Sequence, residues 1–439
     1  MKWEKKYQEK LVSYDEAAGE IQSNDRVWYG PSMSSPVEII QAITRRYKEL
    51  RNVTMGTAIL LYPFDYLKTE YKGHLSHMAY FTGPVERAMR SQGNVDLCSY
   101  HFSQTDWQLP NHLKPRVGIF EVSTPDKNGN MSLGPAGATM IRTSLDKIET
   151  KILLVNKKAP YVYGASDTFL NVKDNDVKYI CECDRELPIF PQPPVEDIDR
   201  QIASRLIEHI QDGSTIQIGV GGVANAIGFC LENHKDLGVH TEMLTDSMMH
   251  LAKKGVITGR KKTLNPNEIS IAFALGSTEL MEYIHKNDFV KVYPTSYIND
   301  SDNIAKNHKF VSINASLMCD LTGQMCSESI GFDQFSATGG QVDFVRGATK
   351  AEDGKSFLVF RSTATLKDGT IVSRINATLP PGAVVTTLRS DVQYVATENG
   401  IAFLRGKAIR ERVEALIGIA HPDFQQQLLD DAKKFGLLF

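Results

Sequence analysis

The sequence predicts an α/β fold of two tandem, related, open α/β/α domains with mostly parallel sheets. Three observations lead to this prediction. The chain has 439 residues, too many for one ordinary core. The stretch Glu186–Pro194 ends with four prolines in seven residues, which is typical of an extended connector. The same order of strand, loop and helix recurs on both sides of this connector. We therefore expect one domain over 1–190 and a second over 191–439.

The first recurrent feature is a short strand that leads through a loop of small residues into an apolar helix. In the first half the predicted strand 26–29 is followed by the loop Gly30–Pro36. In the second half the predicted strand 215–218 is followed by the loop Gly219–Gly222. Strands that alternate with helices favour parallel sheets covered on both faces, with ligands at the carboxyl ends of the strands.

The second recurrent feature is a strand that ends in an Asp-x-x-Gly turn. In the first half Asp126 and Gly129 form this pattern, and in the second half Asp320 and Gly323 repeat it. Each turn follows its strand–loop–helix opening in the same order along the chain. The two recurrent features together predict that the domains arose by duplication.

Composition and charge exclude several classes of partner. The net charge is −3, with 42% hydrophobic and 23% charged residues, which is the balance of a globular protein. No strongly basic face is implied, so we expect no nucleic-acid partner. The start MKWEKKYQEKL has no apolar signal region, and the apolar stretches are too short to span a bilayer. We expect a cytoplasmic protein with no membrane partner, with its six cysteines as thiols and no metal site.

The glycine loop is the most informative local stretch. Glycines at 219, 221 and 222 expose backbone N–H groups at a helix N-terminus, which suits an anion or a developing oxyanion. The same letters also match the dinucleotide fingerprint G-x-G-x-x-A, with Glu242 following Gly219 after 23 residues. Glu242 is therefore either a reactive carboxylate in a transferase or a ribose-binding acid in an NAD-dependent dehydrogenase. A third interpretation is a turn that only lets strand and helix pack closely.

Three points favour the transferase. A dinucleotide fingerprint normally opens a cofactor domain near its first strand, whereas this loop follows a whole preceding α/β domain. In a dinucleotide fold the acidic residue should end a second apolar strand, but the segment 235–242, which ends at Glu242, is only weakly β in character. No pair of residues near it is an obvious acid and base for hydride transfer. A nonenzymatic module that binds CoA or a nucleotide stays open at this point.

Several longer motifs carry a resemblance to a known family. The chain resembles the acetyl-CoA hydrolase/transferase family, most closely its 4-hydroxybutyrate and butyrate:acetate CoA-transferase branch, over nearly its whole length. The motifs, in family order, are FTGPVER at 81–87, GVGGVAN at 219–225, GVHTEM at 238–243, DLTGQMCSE at 320–328 and GGQVDFVRG at 339–347.

The resemblance implies two related domains of the CoA-transferase type, with Glu242 in the second as the catalytic carboxylate. It implies that CoA lies against the glycine loop and that Gly340 faces the same thioester. Lys355 is implied, less directly, as a neighbour of a CoA phosphate. The residues implied to contact CoA are Gly219, Val220, Gly221, Gly222, Val223, Gly340 and Lys355.

The same resemblance implies the reaction. CoA would move between a short-chain acyl-CoA, 4-hydroxybutyryl- or butyryl-CoA, and acetate, by a ping-pong mechanism through a glutamyl-CoA thioester on Glu242. CoA and its thioesters would be substrates, so no resident cofactor is expected. An acyl-CoA hydrolase would share every motif and differ in how well it excludes water. A homodimer is the expected assembly.

Overall fold

The computed structural model describes residues 2–190, 193–219 and 221–438 and has the predicted α/β character. The strands of the first half are β1 Arg26–Tyr29, β2 Val53–Thr57, β3 Leu75–Ala79, β4 Val95–Leu97, β5 Val117–Val122, β6 Asn130–Ser132, β7 Thr150–Asn156, β8 Phe169–Asn171 and β9 Val177–Cys183. Those that follow are β10 Thr215–Ile218, β11 Gly238–Leu244, β12 Ile269–Ala274, β13 Val290–Val292, β14 Phe310–Ala315, β15 Met318–Asp320, β16 Met325–Cys326, β17 Ser329–Ile330, β18 Asp333–Gln334, β19 Lys355–Val359, β20 Thr363–Thr365, β21 Ile371–Ser373, β22 Ile375–Asn376, β23 Tyr394–Thr397 and β24 Gly400–Phe403.

The helices alternate with these strands. They are α1 Trp3–Lys10, α2 Tyr14–Ala18, α3 Val37–Arg45, α4 Pro84–Met89, α5 Thr105–Gln108, α6 Arg142–Leu145, α7 Asp197–Ile207, α8 Gly222–Cys230, α9 Asp246–Lys253, α10 Thr278–Ile284, α11 Thr295–Ile298, α12 Ser301–Ala305, α13 Gln341–Lys350, α14 Ile409–Gly418 and α15 Pro422–Lys434. Within the described part of the chain, no helix is both long and apolar enough to cross a bilayer.

The two large sheets share one strand order. The first sheet runs β4-β3-β2-β1-β5-β7-β9, and each of its pairings is parallel. The second runs β13-β12-β11-β10-β14-β19-β23-β24, with an antiparallel edge where β23 and β24 form a hairpin. In both sheets the order reverses beside the first strand, at β1/β5 and at β10/β14, which is where ligands bind in open α/β sheets. The predicted α/β class with mostly parallel sheets is confirmed.

The recurrent sequence features take matching geometry in the two halves. After β1 the N–H of Gly30 donates to the carbonyl of Ile119 at 2.9 Å, and after β10 the N–H of Gly219 donates to Ile313 at 2.8 Å. Because each glycine extends the parallel ladder to the neighbouring strand, both loops leave the sheet at the same level.

The two Asp-x-x-Gly turns also match. Asp126 Oδ1 accepts hydrogen bonds from the N–H groups two and four residues ahead, at 2.8 and 2.9 Å. Asp320 Oδ1 does the same, at 2.9 and 3.0 Å. Gly129 and Gly323 close these turns with φ values of +83° and +92°, in the left-handed region that glycine adopts without strain. The two turns therefore have the same hydrogen-bonding pattern.

Burial explains the apolar character of the central strands. Every residue of β5 and β10 is buried, as expected for parallel strands covered on both faces. Helix α7 buries Ile202, Ala203 and Leu206 on one side. Its first turn is closed by Asp199, whose carboxylate accepts from the N–H of Glu196 at 3.1 Å.

The chain forms two compact units. The first contains 2–190 together with Glu242–Asp246 and Ser270–Ile298, and the second contains 193–241, Ser247–Ile269 and the residues from 299 onward. The predicted domains, by contrast, are continuous stretches, and their boundary between 190 and 191 stays a prediction. Glu242 belongs to the first unit and the glycine loop to the second.

Candidate active site

The glycine loop has a backbone that other residues would not adopt easily. Gly221 has φ +128°, in the region that favours glycine, and open space surrounds the position of a Cβ atom there. Gly222 is the first residue of α8, and a Cβ on it would collide with the Asp199 carboxylate, whose Cγ would lie 2.9 Å away. Gly221 is thus required for its backbone conformation, and Gly222 is required because no side chain fits at its position. Val220 lies outside the described residues.

A small cavity of about 200 Å³ lies beside this loop, at the reversal of strand order in the second unit. Its walls come from the carboxyl ends of β10, β14 and β19, from the start of α8 and from two arginines. The lining residues are Asp199, Gly219, Gly221, Gly222, Val223, Ala224, Ile313, Ala315, Ser316, Val359, Phe360, Arg361 and Arg374. Among the residues implied to contact CoA, the structure brings together Gly219, Gly221, Gly222 and Val223.

Arg361 is tied to the helix that backs the loop. Its guanidinium donates three hydrogen bonds to Asp199, at 2.9, 3.0 and 3.1 Å, and one to Glu196 at 3.0 Å. The hydrogen bonds to Asp199, and then the one to Glu196, raise the pKa of Arg361. Because Asp199 is almost fully buried, this pair forms a rigid wall of the cavity.

Arg374 contrasts with Arg361. It is half-buried, and burial, followed by the charge of Arg361, lowers its pKa, while Glu398 acts in the opposite direction. Among the described residues none accepts a hydrogen bond from its guanidinium. Sequence reasoning missed both arginines, because neither stands in a motif that points to the loop.

A buried network of polar side chains lies on the strands from which the glycine loop departs. The side chains of Gln217 and Asn314 exchange hydrogen bonds of 3.0 and 3.1 Å, and Ser312 Oγ donates to Gln217 Oε1 at 2.7 Å. All three side chains lie on the neighbouring strands β10 and β14. A fully bonded polar network of this kind fixes the strand ends from which the loop departs.

Glu242 lies in β11 and is half-buried. In the same unit the charge of Glu242 acts on Tyr100, whose pKa is raised chiefly by burial and to a smaller extent by Glu242. The hydroxyls of Tyr100 and Thr105 lie 3.2 Å apart, and the rings of Tyr100 and Tyr80 meet edge to face. No sequence signal pointed to Tyr100, which precedes Glu242 by 142 residues.

The remaining two predicted site residues lie elsewhere in the second unit. Gly340 is buried and precedes α13, where its carbonyl accepts from the N–H of Phe344 at 3.1 Å. Lys355 begins β19, and its Nζ donates to the carbonyl of His209 at 3.0 Å. The cavity lies at the other, carboxyl end of β19, so the structure does not bring Lys355 to it. Within the described part of the chain, no cluster of side chains suits a metal ion.

The family models match both halves of the chain. The N-terminal domain of acetyl-CoA hydrolase/transferase matches residues 1–191 and the C-terminal domain matches 276–432. The chain belongs to the acetyl-CoA hydrolase/transferase family. The resemblance seen in the motifs, and the prediction of an enzyme of the CoA-transferase class, are therefore confirmed.

Similar proteins cover the chain almost completely. A 4-hydroxybutyrate coenzyme A transferase from Clostridium kluyveri is 36% identical, over 99% of this chain and 100% of its own. A succinyl-CoA:cyclohexane-1-carboxylate CoA transferase from Geobacter metallireducens is 37% identical, over 99% and 97%. A butyryl-CoA:acetate CoA-transferase from Anaerostipes caccae is 33% identical, over 99% and 98%.

A solved structure agrees with the fold. The 4-hydroxybutyrate CoA-transferase from Porphyromonas gingivalis superposes with a TM-score of 0.80 at 32% identity, covering 99% of this chain and 100% of that one. These four similar proteins are named as CoA transferases, which favours the transferase interpretation of the glycine loop over the dehydrogenase one.

Proposed function

We propose that the protein exchanges CoA between a short-chain acyl-CoA, 4-hydroxybutyryl- or butyryl-CoA, and acetate, through a glutamyl-CoA thioester on Glu242. The single observation that carries the proposal is the cavity at the strand reversal, lined by the predicted loop residues Gly219, Gly221, Gly222 and Val223. The relatives from Clostridium kluyveri and Anaerostipes caccae, named for these acids, support the choice of substrates.

The proposed reaction needs only a carboxylate and the thioester. The Glu242 carboxylate attacks the acyl-CoA carbonyl, the C–S bond breaks, and an acyl-glutamyl anhydride and the CoA thiolate result. The thiolate attacks the glutamyl carbonyl, which releases the first acid as a carboxylate and leaves CoA on Glu242. Acetate then runs both steps in reverse. Every step keeps an activated acyl group, so neither ATP nor a resident cofactor takes part.

The glycine loop has two proposed roles. Its backbone N–H groups, at the start of α8, would stabilise the tetrahedral oxyanion, a contribution of about 3 kcal/mol for one well-placed donor. Its lack of side chains would let CoA approach the backbone. Val220 and Gly340 belong to the proposed CoA contacts on the strength of the motifs alone. The phosphate contact of Lys355 also stays a proposal from the resemblance; its Nζ donates one hydrogen bond to His209 at the amino end of β19.

Hydrolysis is the alternative activity of the same site, because water could replace acetate as the acceptor. We favour transfer because three relatives with 33–37% identity over 99% of this chain are named transferases, whereas an acetyl-CoA hydrolase from Candida albicans is 24% identical over 73% of this chain. Exclusion of water would then decide the outcome. We also expect a homodimer and a cytoplasmic location.

The test is the mass of the protein after incubation with butyryl-CoA and no acceptor acid. We expect CoA to be added to the peptide that contains Glu242. Borohydride, which reduces thioesters but not carboxylates, should convert this residue to the alcohol and abolish activity. Glu242→Ala should take no label and transfer no CoA. Label on another residue, or transfer by Glu242→Ala at the wild-type rate, would refute the proposal.

A further inference from the structure

The cavity beside the glycine loop holds two arginines whose environments differ. Arg361 has its charge matched by Asp199 and Glu196, which together accept four hydrogen bonds from it. The N–H groups of its guanidinium are therefore already bonded to carboxylates of the protein. Arg374 lines the same cavity, yet no acceptor among the described residues takes its N–H groups.

The backbone of Arg374 is held by hydrogen bonds to two other segments of the second unit. Its N–H donates to Ser362 at 2.8 Å, and its carbonyl accepts from the N–H of Cys319 at 3.0 Å. These bonds fix it between the short strands β21 and β22. The cation is thus presented at the cavity by a rigid main chain.

Glu398, the carboxylate whose charge acts on the pKa of Arg374, already accepts hydrogen bonds from Ser362. Glu398 raises the pKa of Arg374, against the larger lowering by burial and by Arg361. One Glu398 oxygen accepts from the N–H of Ser362 at 2.9 Å, and the other accepts from the Ser362 hydroxyl. Neither Glu398 nor another described residue accepts a hydrogen bond from the Arg374 guanidinium, so its N–H groups keep their capacity for a further anion.

The first unit offers an internal comparison at its own strand reversal. There Arg185 donates to Glu38 at 3.0 Å, to Glu121, and to the carbonyl of Ser35 in the loop after β1. Two carboxylates of the chain thus satisfy that arginine. In the second unit Arg361 likewise has two carboxylates, Asp199 and Glu196, whereas the half-buried Arg374 at the same cavity has no acceptor among the described residues.

The size and lining of the cavity indicate which anion fits. A volume of about 200 Å³ lies below the roughly 300–1,000 Å³ of sites for drug-sized ligands, so it suits one small group. The apolar residues Ile313, Val359 and Phe360 are among its lining residues, beside the arginines, and such a lining suits a short alkyl chain. A guanidinium pairs with a carboxylate through two parallel hydrogen bonds.

We propose that Arg374 binds the carboxylate of the short-chain acid that accepts or leaves CoA, while Ile313, Val359 and Phe360 receive its carbon chain. The inference rests on the proposed function and assigns the acid-binding half of the site. Arg361 acts as a positioning residue, because it fixes Asp199 and so the start of α8. The lining apolar residues would then set which acids are used.

The test compares how substitution of Arg374 changes the KM values of the two substrates. With Arg374→Gln we expect the KM for acetate to rise at least about tenfold, the scale of a lost charge-assisted hydrogen bond, while the KM for butyryl-CoA changes by less than about twofold. Arg374→Lys, which keeps the charge but loses the fork, should fall between the wild type and Arg374→Gln. Arg389→Gln, an exposed arginine outside the cavity, should behave as the wild type.

Single-turnover experiments give a second measurement that does not depend on KM. The enzyme is first loaded with CoA on Glu242 and then mixed with acetate. Discharge by acetate should be at least about tenfold slower in Arg374→Gln, with normal loading by butyryl-CoA. Normal discharge would overturn the inference. A raised KM for butyryl-CoA alone would overturn it and indicate a CoA phosphate at Arg374. Failure of loading in the wild type would instead refute the glutamyl thioester itself.

Discussion

Arg361 and Asp199 of α7 form an ion pair of three hydrogen bonds beside the glycine loop, with N···O distances of 2.9, 3.0 and 3.1 Å. The same carboxylate occupies the space that a side chain on Gly222 would need. The absence of a side chain at Gly222 and the ion pair therefore depend on each other. This relationship leads to the first prediction.

Gly222→Ala should displace Asp199 and break the ion pair with Arg361. Because Asp199 is almost fully buried, we expect a loss of about 3–5 kcal/mol in the free energy of unfolding, together with a lower turnover. Urea unfolding and steady-state kinetics measure both. Gly418→Ala is the matched control, since its Cβ would meet nothing within 4 Å, and it should be neutral or slightly stabilising. Wild-type stability of Gly222→Ala would contradict the steric argument.

Gly221→Val tests the backbone of the loop instead of its packing. No atom obstructs a Cβ here, but φ +128° is costly for a branched residue. We expect at least about a hundredfold loss in turnover, by the scale of a lost oxyanion donor, with the fold retained. Circular dichroism and kcat check this prediction. A variant with lower thermal stability and normal kcat would mean that the loop serves packing only.

Initial-rate kinetics test the covalent route without any substitution. If CoA stays on the enzyme after the first acid leaves, plots at varied butyryl-CoA and acetate should give parallel lines. Intersecting lines would indicate direct transfer in a ternary complex. Isotope exchange between labelled butyrate and butyryl-CoA in the absence of acetate should occur, as a half-reaction requires.

His77 should make the protein sensitive to acid. It is buried beside Tyr66, with its Nδ1 2.8 Å from the Tyr66 hydroxyl, and burial lowers its pKa to about 3. The unfolded chain, with a histidine pKa near 6.5, binds the proton first as pH falls. Stability should therefore decline below about pH 6.5, by up to about 1.4 kcal/mol per pH unit down to about pH 3.

Urea unfolding of His77→Gln at several pH values measures this effect. The variant should be less stable at pH 7.5, because Gln does not reproduce the bond to Tyr66, but its slope between pH 6.5 and 4 should be shallower by about one proton. His74→Gln, at a partly buried histidine nearby in the sequence, serves as the control. An unchanged slope in His77→Gln would show that His77 does not titrate between the folded and unfolded states.

Much of the fold follows from local sequence. The predicted strands at 26–29 and 215–218 coincide with β1 and β10, and the paired turns at Asp126 and Asp320 have matching hydrogen bonds. These features depend on residues within a few positions of each other. Alternating apolar strands, turn glycines and aspartates that bond nearby N–H groups act over that range, so the sequence shows them directly.

The sequence by itself determined the duplicated α/β architecture, the glycine loop and the family to which the chain belongs. Only the tertiary structure decided which side chains meet at that loop. Arg361 reaches Asp199 across 162 residues, Arg374 joins the same cavity, and Lys355 is held at the opposite end of β19. The physical reason is that strand order, set by burial of whole sheets, places these residues, whereas no short-range pattern records which distant strands become neighbours.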